Sequence, residues 1–272
     1  MTVLVIGSTG KTGRRVARLL EDRGVAVRHG ARGSAIPFDW ERPETWPAAL
    51  EGCTAAYVAY YPDLAAPGAE EKIAALTEAA RAAGLGRLVL LAGRGEPRAE
   101  ACERIVAASG LGYTLLRAAW FDQNFSEGML RDAVLSGAIA LPAGEVREPL
   151  VDVEDIAEVA AAALTEPGHE GQLYEVTGPE ALGFAEAAAQ LSEALGRQVV
   201  YVPISLERLH AEVEAAAGRE MADLMAEICR QTLDGRNAYA GDGVQRALGR
   251  APRSFADFCR RAAAEGAWRL AS

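Results

Sequence analysis

Four consecutive apolar residues, Val3-Leu4-Val5-Ile6, run straight into Gly7-Ser8-Thr9-Gly10-Lys11-Thr12-Gly13, after which apolar positions return at helical spacing. An unbroken apolar run of this kind reads as a central parallel strand buried on both faces. Residues 14–23 put Val16, Leu19 and Leu20 on one face and stop near Gly24, the pattern of a helix. The glycines between let the backbone turn at Gly7, leave room for a phosphate at Gly10, and bring helix close to strand at Gly13. Their spacing is G-x-x-G-x-x-G rather than the G-x-G-x-x-G dinucleotide fingerprint, so the flanking strand and helix carry the assignment. A glycine turn without a ligand is the alternative. Gly10-Lys11-Thr12 also looks like the end of a triphosphate-binding loop, but that loop needs a glycine at position 5, where the strand has Val5.

The same alternation continues downstream. Strand-like runs at 26–28, 55–59, 87–91 and 113–116 are separated by helical patterns at 69–83 and 98–109. This predicts an α/β fold with a doubly wound parallel sheet, right-handed crossovers, and ligands at the carboxyl ends of the strands. A further strand is expected before Asp39, which places Tyr60 and Tyr61 after the fourth strand and Trp120 after the sixth. Beyond Arg117 the rhythm breaks into the aromatic and polar segment Trp120-Phe121-Asp122-Gln123-Asn124-Phe125 and then helices with short strands. Residues 1–118 are thus expected to form the dinucleotide-binding core, and 119–272 the interleaved end of that core with a small, mostly helical substrate or lid subdomain. Asp152 reads as the N-cap of a helix whose first turn holds Glu154 and Asp155, a structural role for these acids. Leu206, Leu209 and Val213, then Met221, Leu224, Met225 and Ile228, fall at helical spacing and read as core or lid-packing faces.

Composition narrows the partners. Half of the 272 residues are hydrophobic, enough for a sizeable core without metals or disulfides. Cys53, Cys102, Cys229 and Cys259 are scattered, as are His29, His169 and His210, so buried or free thiols and no metal are expected. A net charge of −10 opposes binding to nucleic acid or an anionic membrane surface. No apolar stretch reaches the roughly 18 residues of a membrane span, and Met1-Thr2 leads directly into the first strand, so the expectation is a cytoplasmic monomer or homodimer acting on a small molecule.

Four segments together carry a resemblance: Gly7 to Arg15, Leu91-Ala92-Gly93-Arg94-Gly95, Leu115 to Phe125, and Val151 to Ile156, with Tyr174 to Pro179 beyond them. On these the chain resembles the NmrA-like atypical short-chain dehydrogenases over nearly its whole length, most closely the bacterial relatives of the fungal ergot-alkaloid reductases. The resemblance implies a Rossmann core that binds NAD(P); the group holds both reductases and non-catalytic redox sensors.

The residues themselves address which dinucleotide binds. An NAD site places an acid after the second strand, whereas this chain has Val27-Arg28-His29-Gly30-Ala31-Arg32 there. Arg32 suits the 2′-phosphate of NADP, a solvent-exposed arginine being the alternative. Asp39 resembles the family position that meets the adenine, although Phe38-Asp39-Trp40 also reads as a simple turn. NADP(H) is therefore the expected cofactor, with NAD(H) second, held by Gly7, Ser8, Thr9, Gly10, Lys11, Thr12, Gly13, Arg32 and Asp39.

The usual Tyr-x-x-x-Lys pair of short-chain dehydrogenases is expected near 94 and 98, where this chain has Arg94 and Arg98, and Ala92-Gly93 replaces the usual serine. A tuned phenolic acid is absent, which disfavours ketone–alcohol interconversion. Hydride transfer to a quinone, iminium ion or conjugated carbonyl remains open, because it needs chiefly positioning and field. Arg98 is a candidate to hold the nicotinamide ribose and Arg94 to polarise an oxygen, unless both are surface arginines paired with Glu96, Glu100 or Glu103. Tyr60 and Tyr61 are candidate acids, and Trp120, Phe121, Gln123 and Asn124 candidate substrate walls, with core packing the alternative for each. The expected function is an NADPH-favouring reductase of a small unsaturated, quinone or iminium-type molecule; a non-catalytic dinucleotide sensor is the other reading.

Overall fold

The apolar run forms β1 (Thr2–Ile6), with Val3 and Val5 buried in one hydrophobic core and Leu4 and Ile6 in another. Alternate side chains of a strand point to opposite faces, so two cores require helices on both sides. The computed structural model describes residues 1–269 and supplies them. In chain order the first half contains α1 (Gly13–Asp22), β2 (Ala26–Gly30), α2 (Trp46–Leu50), β3 (Ala55–Val58), α3 (Ala69–Ala82), β4 (Arg87–Gly93), α4 (Pro97–Ala108) and β5 (Gly112–Ala118). Then come α5 (Asn124–Glu127), α6 (Arg131–Ser136), β6 (Ala138–Leu141), β7 (Arg147–Glu148), α7 (Val153–Thr165) and β8 (Gln172–Val176). The chain finishes with β9 (Leu182–Gly183), α8 (Phe184–Leu195), β10 (Val200–Pro203), α9 (Leu206–Ala217), α10 (Arg219–Thr232), α11 (Gly243–Leu248) and α12 (Phe255–Ala264).

Six strands pair in the order β2-β1-β3-β4-β5-β8, every pair parallel. This is the expected doubly wound α/β sheet of Rossmann type. Val16 and Leu20 of α1, Ile156 and Val159 of α7 and Val244 of α11 cover one face. Leu50 of α2, Ile73 and Leu76 of α3 and Val106 of α4 cover the other. The expected strand before Asp39 is not formed: residues 31–42 are strand-free. Gly33 and Pro37 break that stretch, and Phe38 and Trp40 instead pack with Trp46 into an aromatic cluster over Leu4 and Ile6. Tyr60 and Tyr61 therefore follow β3, and Trp120 follows β5.

A third core lies beyond the sheet, where Phe125, Val134, Ile139, Phe184, Leu191, Leu209, Phe255, Phe258 and Trp268 pack together. β6 pairs with β10 in parallel and β7 with β9 antiparallel on this side. α7 and β8 return to the main sheet, so the chain crosses between the two regions more than once. Asp152 caps α7 by accepting the Glu154 N–H at 2.9 Å. All four cysteines are buried free thiols, and among the described residues no helix is long and apolar enough to cross a membrane.

The join to the C-terminal segment is polar. Asp155, fully buried on α7, accepts the Arg253 N–H and an Arg250 guanidinium N–H, each at 2.7 Å, and also pairs with the Arg253 guanidinium. Removing one partner strands buried charge. Asp155→Ala should therefore lower the unfolding free energy in urea by about 3–5 kcal/mol; a loss below about 1 kcal/mol, the worth of a surface pair, would contradict this tether.

Candidate functional site

Where the sheet order reverses, between β1 and β3, a cleft of about 830 Å³ opens at the carboxyl ends of β1, β3, β4 and β5. Such switch points are where open α/β sheets take ligands. Its floor is the glycine turn. Gly7 has φ +77°, a conformation side chains disfavour, and its carbonyl accepts the Gly10 N–H at 2.9 Å. A Cβ at Gly13 would collide with the Gly7 carbonyl, and one at Gly10 would stand 3.2 Å from it. No side chain caps α1 and its first turn holds no acid. The helix thus turns the positive end of its dipole toward the cleft, where an anion is favoured.

Gly7, Thr9, Gly10, Lys11, Thr12, Arg32 and Asp39 line the cleft. Ser8 is buried outside the lining, and Gly13 serves the helix–strand contact instead. The Lys11 ammonium donates to Asn124 Oδ1 at 2.7 Å; burial, with Arg14 and Arg15 beside it, lowers its pKa. Arg32 is exposed at the cleft wall and has no hydrogen-bonding or ionic partner among the described residues. Asp39 both lines the cleft and makes a turn: its Oδ1 accepts the Glu41 N–H at 3.0 Å, and its carbonyl accepts Trp46 Nε1–H at 2.7 Å.

The other end of the cleft is aromatic. Trp120, Phe121 and Asn124 come from the segment after β5, and Tyr60 and Tyr61 from the one after β3. Met225, Ile228 and Thr232 on α10 face them, so part of the stripe read as a packing face lines the cleft. Trp120 Nε1–H donates to Thr232 Oγ1 at 3.0 Å, linking this wall to α10. Tyr60 packs edge-on against Trp40 at 4.7 Å; burial, then nearby Glu41, pushes its phenol pKa up, the wrong direction for a tuned acid. Tyr61 is 66% exposed at the rim.

Three sequence candidates have other work. Arg94 is 3% exposed rather than on the surface; its guanidinium donates to the carbonyls of Asn237 and Tyr239 at 3.1 and 2.9 Å and to Glu175 at 3.3 Å, and lies over the Tyr239 ring. These partners tie it to the C-terminal segment, while its Nε–H has no partner among the described residues and it still lines the cleft. Arg98 does not line the cleft; its half-exposed guanidinium pairs with Glu70 at 3.3 Å, because helical residues after Pro97 carry it to the α3 side. Gln123 is buried: its Nε2–H donates to Asp152 Oδ1 and its Oε1 accepts the Val153 N–H, each at 2.8 Å, so it braces the start of α7 and is no substrate wall.

Two cleft carboxyls were missed, Asp63 after β3 and Glu96 after β4. Glu96 was read only as a partner for arginines. Their meeting depends on β3 and β4 being neighbours, which no local pattern encodes. Glu148 on β7 is fully buried, and burial pushes its pKa up to about 8 despite nearby Arg94 and the Trp120 backbone.

A family model described as NAD(P)H-binding matches residues 7–167. The chain is 36% identical to an NAD(P)H azoreductase of Xenophilus azovorans, covering 97% of this chain and 99% of that protein. It is 29% identical to the festuclavine dehydrogenase of Aspergillus fumigatus, covering 95% and 96%. Among solved structures, the Citrobacter sp. triphenylmethane reductase complexed with NADP(H) superposes with a TM-score of 0.74 at 26% identity, covering 96% of this chain and all of that one.

The buried acid sets a pH dependence. Glu148 ionises at the ordinary glutamate value when unfolded but keeps its proton when folded, so stability is full below that value and is lost as pH rises toward about 8. The melting temperature should fall across this range, and Glu148→Gln should make the fall shallower. An unchanged slope in the variant would contradict a neutral Glu148.

Proposed function

The chain belongs to the NAD(P)H-binding family of NmrA-like atypical short-chain dehydrogenases, a family of NAD(P)H-dependent reductases, and from that premise we propose that it is an NADPH-preferring reductase of a small, flat, unsaturated acceptor. Quinones, iminium ions and azo compounds are the acceptor types that fit. The observation that carries this reading is one continuous cleft running from the phosphate-shaped glycine turn to an aromatic end, with no tyrosine–lysine pair along it.

The start of α1 and the glycine turn take the pyrophosphate, a site where a side chain at Gly13 has no room. Arg32 takes the 2′-phosphate, its planar guanidinium fork suiting that anion. Asp39 borders the adenosine end. NADPH bound here supplies a hydride. Trp120, Phe121 and Tyr60 form a slot that orients a planar conjugated molecule and excludes water, and Lys11 holds Asn124 against its edge. The likeness to an azoreductase and a triphenylmethane reductase supports conjugated acceptors over simple ketones.

Calorimetry should show tighter binding of NADPH than of NADH. Arg32→Ala should weaken NADPH about tenfold, one charge-assisted contact, while leaving NADH nearly unchanged; equal losses for both would contradict the 2′-phosphate role. Loss of NADPH absorbance against a panel of quinones, iminium salts and azo dyes tests the activity. Turnover of at least one class is expected, and tight binding with no turnover would indicate a dinucleotide-responsive protein that is not a reductase.

A further inference from the structure

The cleft lacks the phenol that short-chain dehydrogenases use as an acid, yet two carboxyls meet in its wall. Glu96 stands at the N-cap of α4, but its side chain does not cap the helix. It folds back over Gly93 at the carboxyl end of β4, where any Cβ would strike the carboxyl group. Glu96 is 4% exposed, and no donor reaches its Oε2 among the described residues. Asp63, from the loop after β3, lines the same cleft wall and accepts the Ala65 N–H on Oδ1 at 2.8 Å. Two carboxyls facing one cleft without a cation between them disfavour double ionisation, so one of them keeps its proton. Neither nearby arginine neutralises the pair, since Arg94 is bound to the C-terminal segment and Arg98 to Glu70. Asn237 Nδ2–H donates to the Arg94 carbonyl at 3.1 Å, which fixes the loop that carries Glu96.

We infer that the Asp63–Glu96 carboxyl pair is the general acid of this cleft, Glu96 donating the proton and Asp63 holding it in place. The inference rests on the reductase reading above. Burial and the adjoining Asp63 carboxylate hold Glu96 well above the ordinary carboxyl range, so it is the protonated member at neutral pH. In reduction of an azo or quinone acceptor, two electrons arrive with hydride at one end of the conjugated system. The π bond breaks and its electron pair settles on the far nitrogen or oxygen. There the new N–H or O–H bond forms as the Glu96 O–H bond breaks. Glu96 is left as a carboxylate beside Asp63, an unfavourable pair, and regains a proton from water reaching the half-buried Asp63. A cationic carbon acceptor needs no such proton, because hydride alone neutralises it.

That difference is the test. Wild type, Glu96→Gln and Asp63→Asn are assayed with NADPH on a quinone and on a cationic triarylmethane dye, and infrared spectra of the acceptor-free proteins are compared at neutral pH. The expected result is a quinone kcat about a hundredfold lower in Glu96→Gln, the scale of lost general-acid catalysis, with the dye far less affected. Protonated-carboxyl C=O intensity should also decrease in the infrared spectrum of that variant relative to wild type, the part from Glu148 and Asp122 remaining. Equal effects on both acceptors, or no such decrease, would overturn the carboxyl acid while leaving the reductase reading intact. Failure of the wild type to reduce any acceptor would overturn both. Asp63→Asn, which keeps Glu96, should lower quinone turnover and shift its pH profile; an unchanged profile would count against the pair.

Discussion

The contact between the Gly7 carbonyl and Gly13 is the constraint on which the rest of the molecule depends. A side chain at Gly13 has no space, because the turn after β1 already fills it. The close packing sets α1 against the sheet and turns its N-terminus into the cleft, where the helix dipole favours an anion. Every other part of the site is positioned relative to that point: Arg32 and Asp39 toward β2, and the aromatic wall toward β4 and β5.

The cleft is walled by elements from both parts of the chain. β3, β4 and β5 deliver Tyr60, Gly93 and Ala118, whereas α10 contributes Met225, Ile228 and Thr232 from far along the sequence. Arg94 connects the two, reaching from the end of β4 to the carbonyls of Asn237 and Tyr239. Arg94 therefore has a mechanical role, and the same wall of the cleft carries the carboxyls of Asp63 and Glu96. Two further acids, Asp122 and Glu148, are fully buried and held above their ordinary pKa by burial, although Arg261 and Arg94 stand nearby. A desolvated cleft of this kind strengthens the electrostatic differences between its groups.

The fold was readable because its signals are local. Val3 to Ile6, the glycine turn, and the spacing of Val16 and Leu20 each declare an element without help from the remainder of the chain. The false strand before Asp39 shows the limit: Phe38 and Trp40 are apolar enough for a strand, but Gly33 and Pro37 break the stretch and the two rings join an aromatic cluster with Trp46. The site was readable only in part. The floor of the cleft follows from the glycines, yet Gln123 looked like a substrate contact although its amide closes on the start of α7. The partners of Arg94 and Arg98 come from the C-terminal segment and α3, which no local pattern shows. Asp63 and Glu96 escaped notice for the same reason, since only the pairing of β3 with β4 brings them together.

The central claim is that hydride passes directly from a dinucleotide on the glycine turn to an acceptor in the aromatic end of the same cleft. The most direct measurement uses NADPH deuterated on one face at C4 of the nicotinamide, with a cationic or conjugated carbon acceptor, and locates the label by mass spectrometry and NMR. The account predicts deuterium bonded to the acceptor carbon from one face of the nicotinamide only. NADPH that binds without passing its label to the product would contradict it.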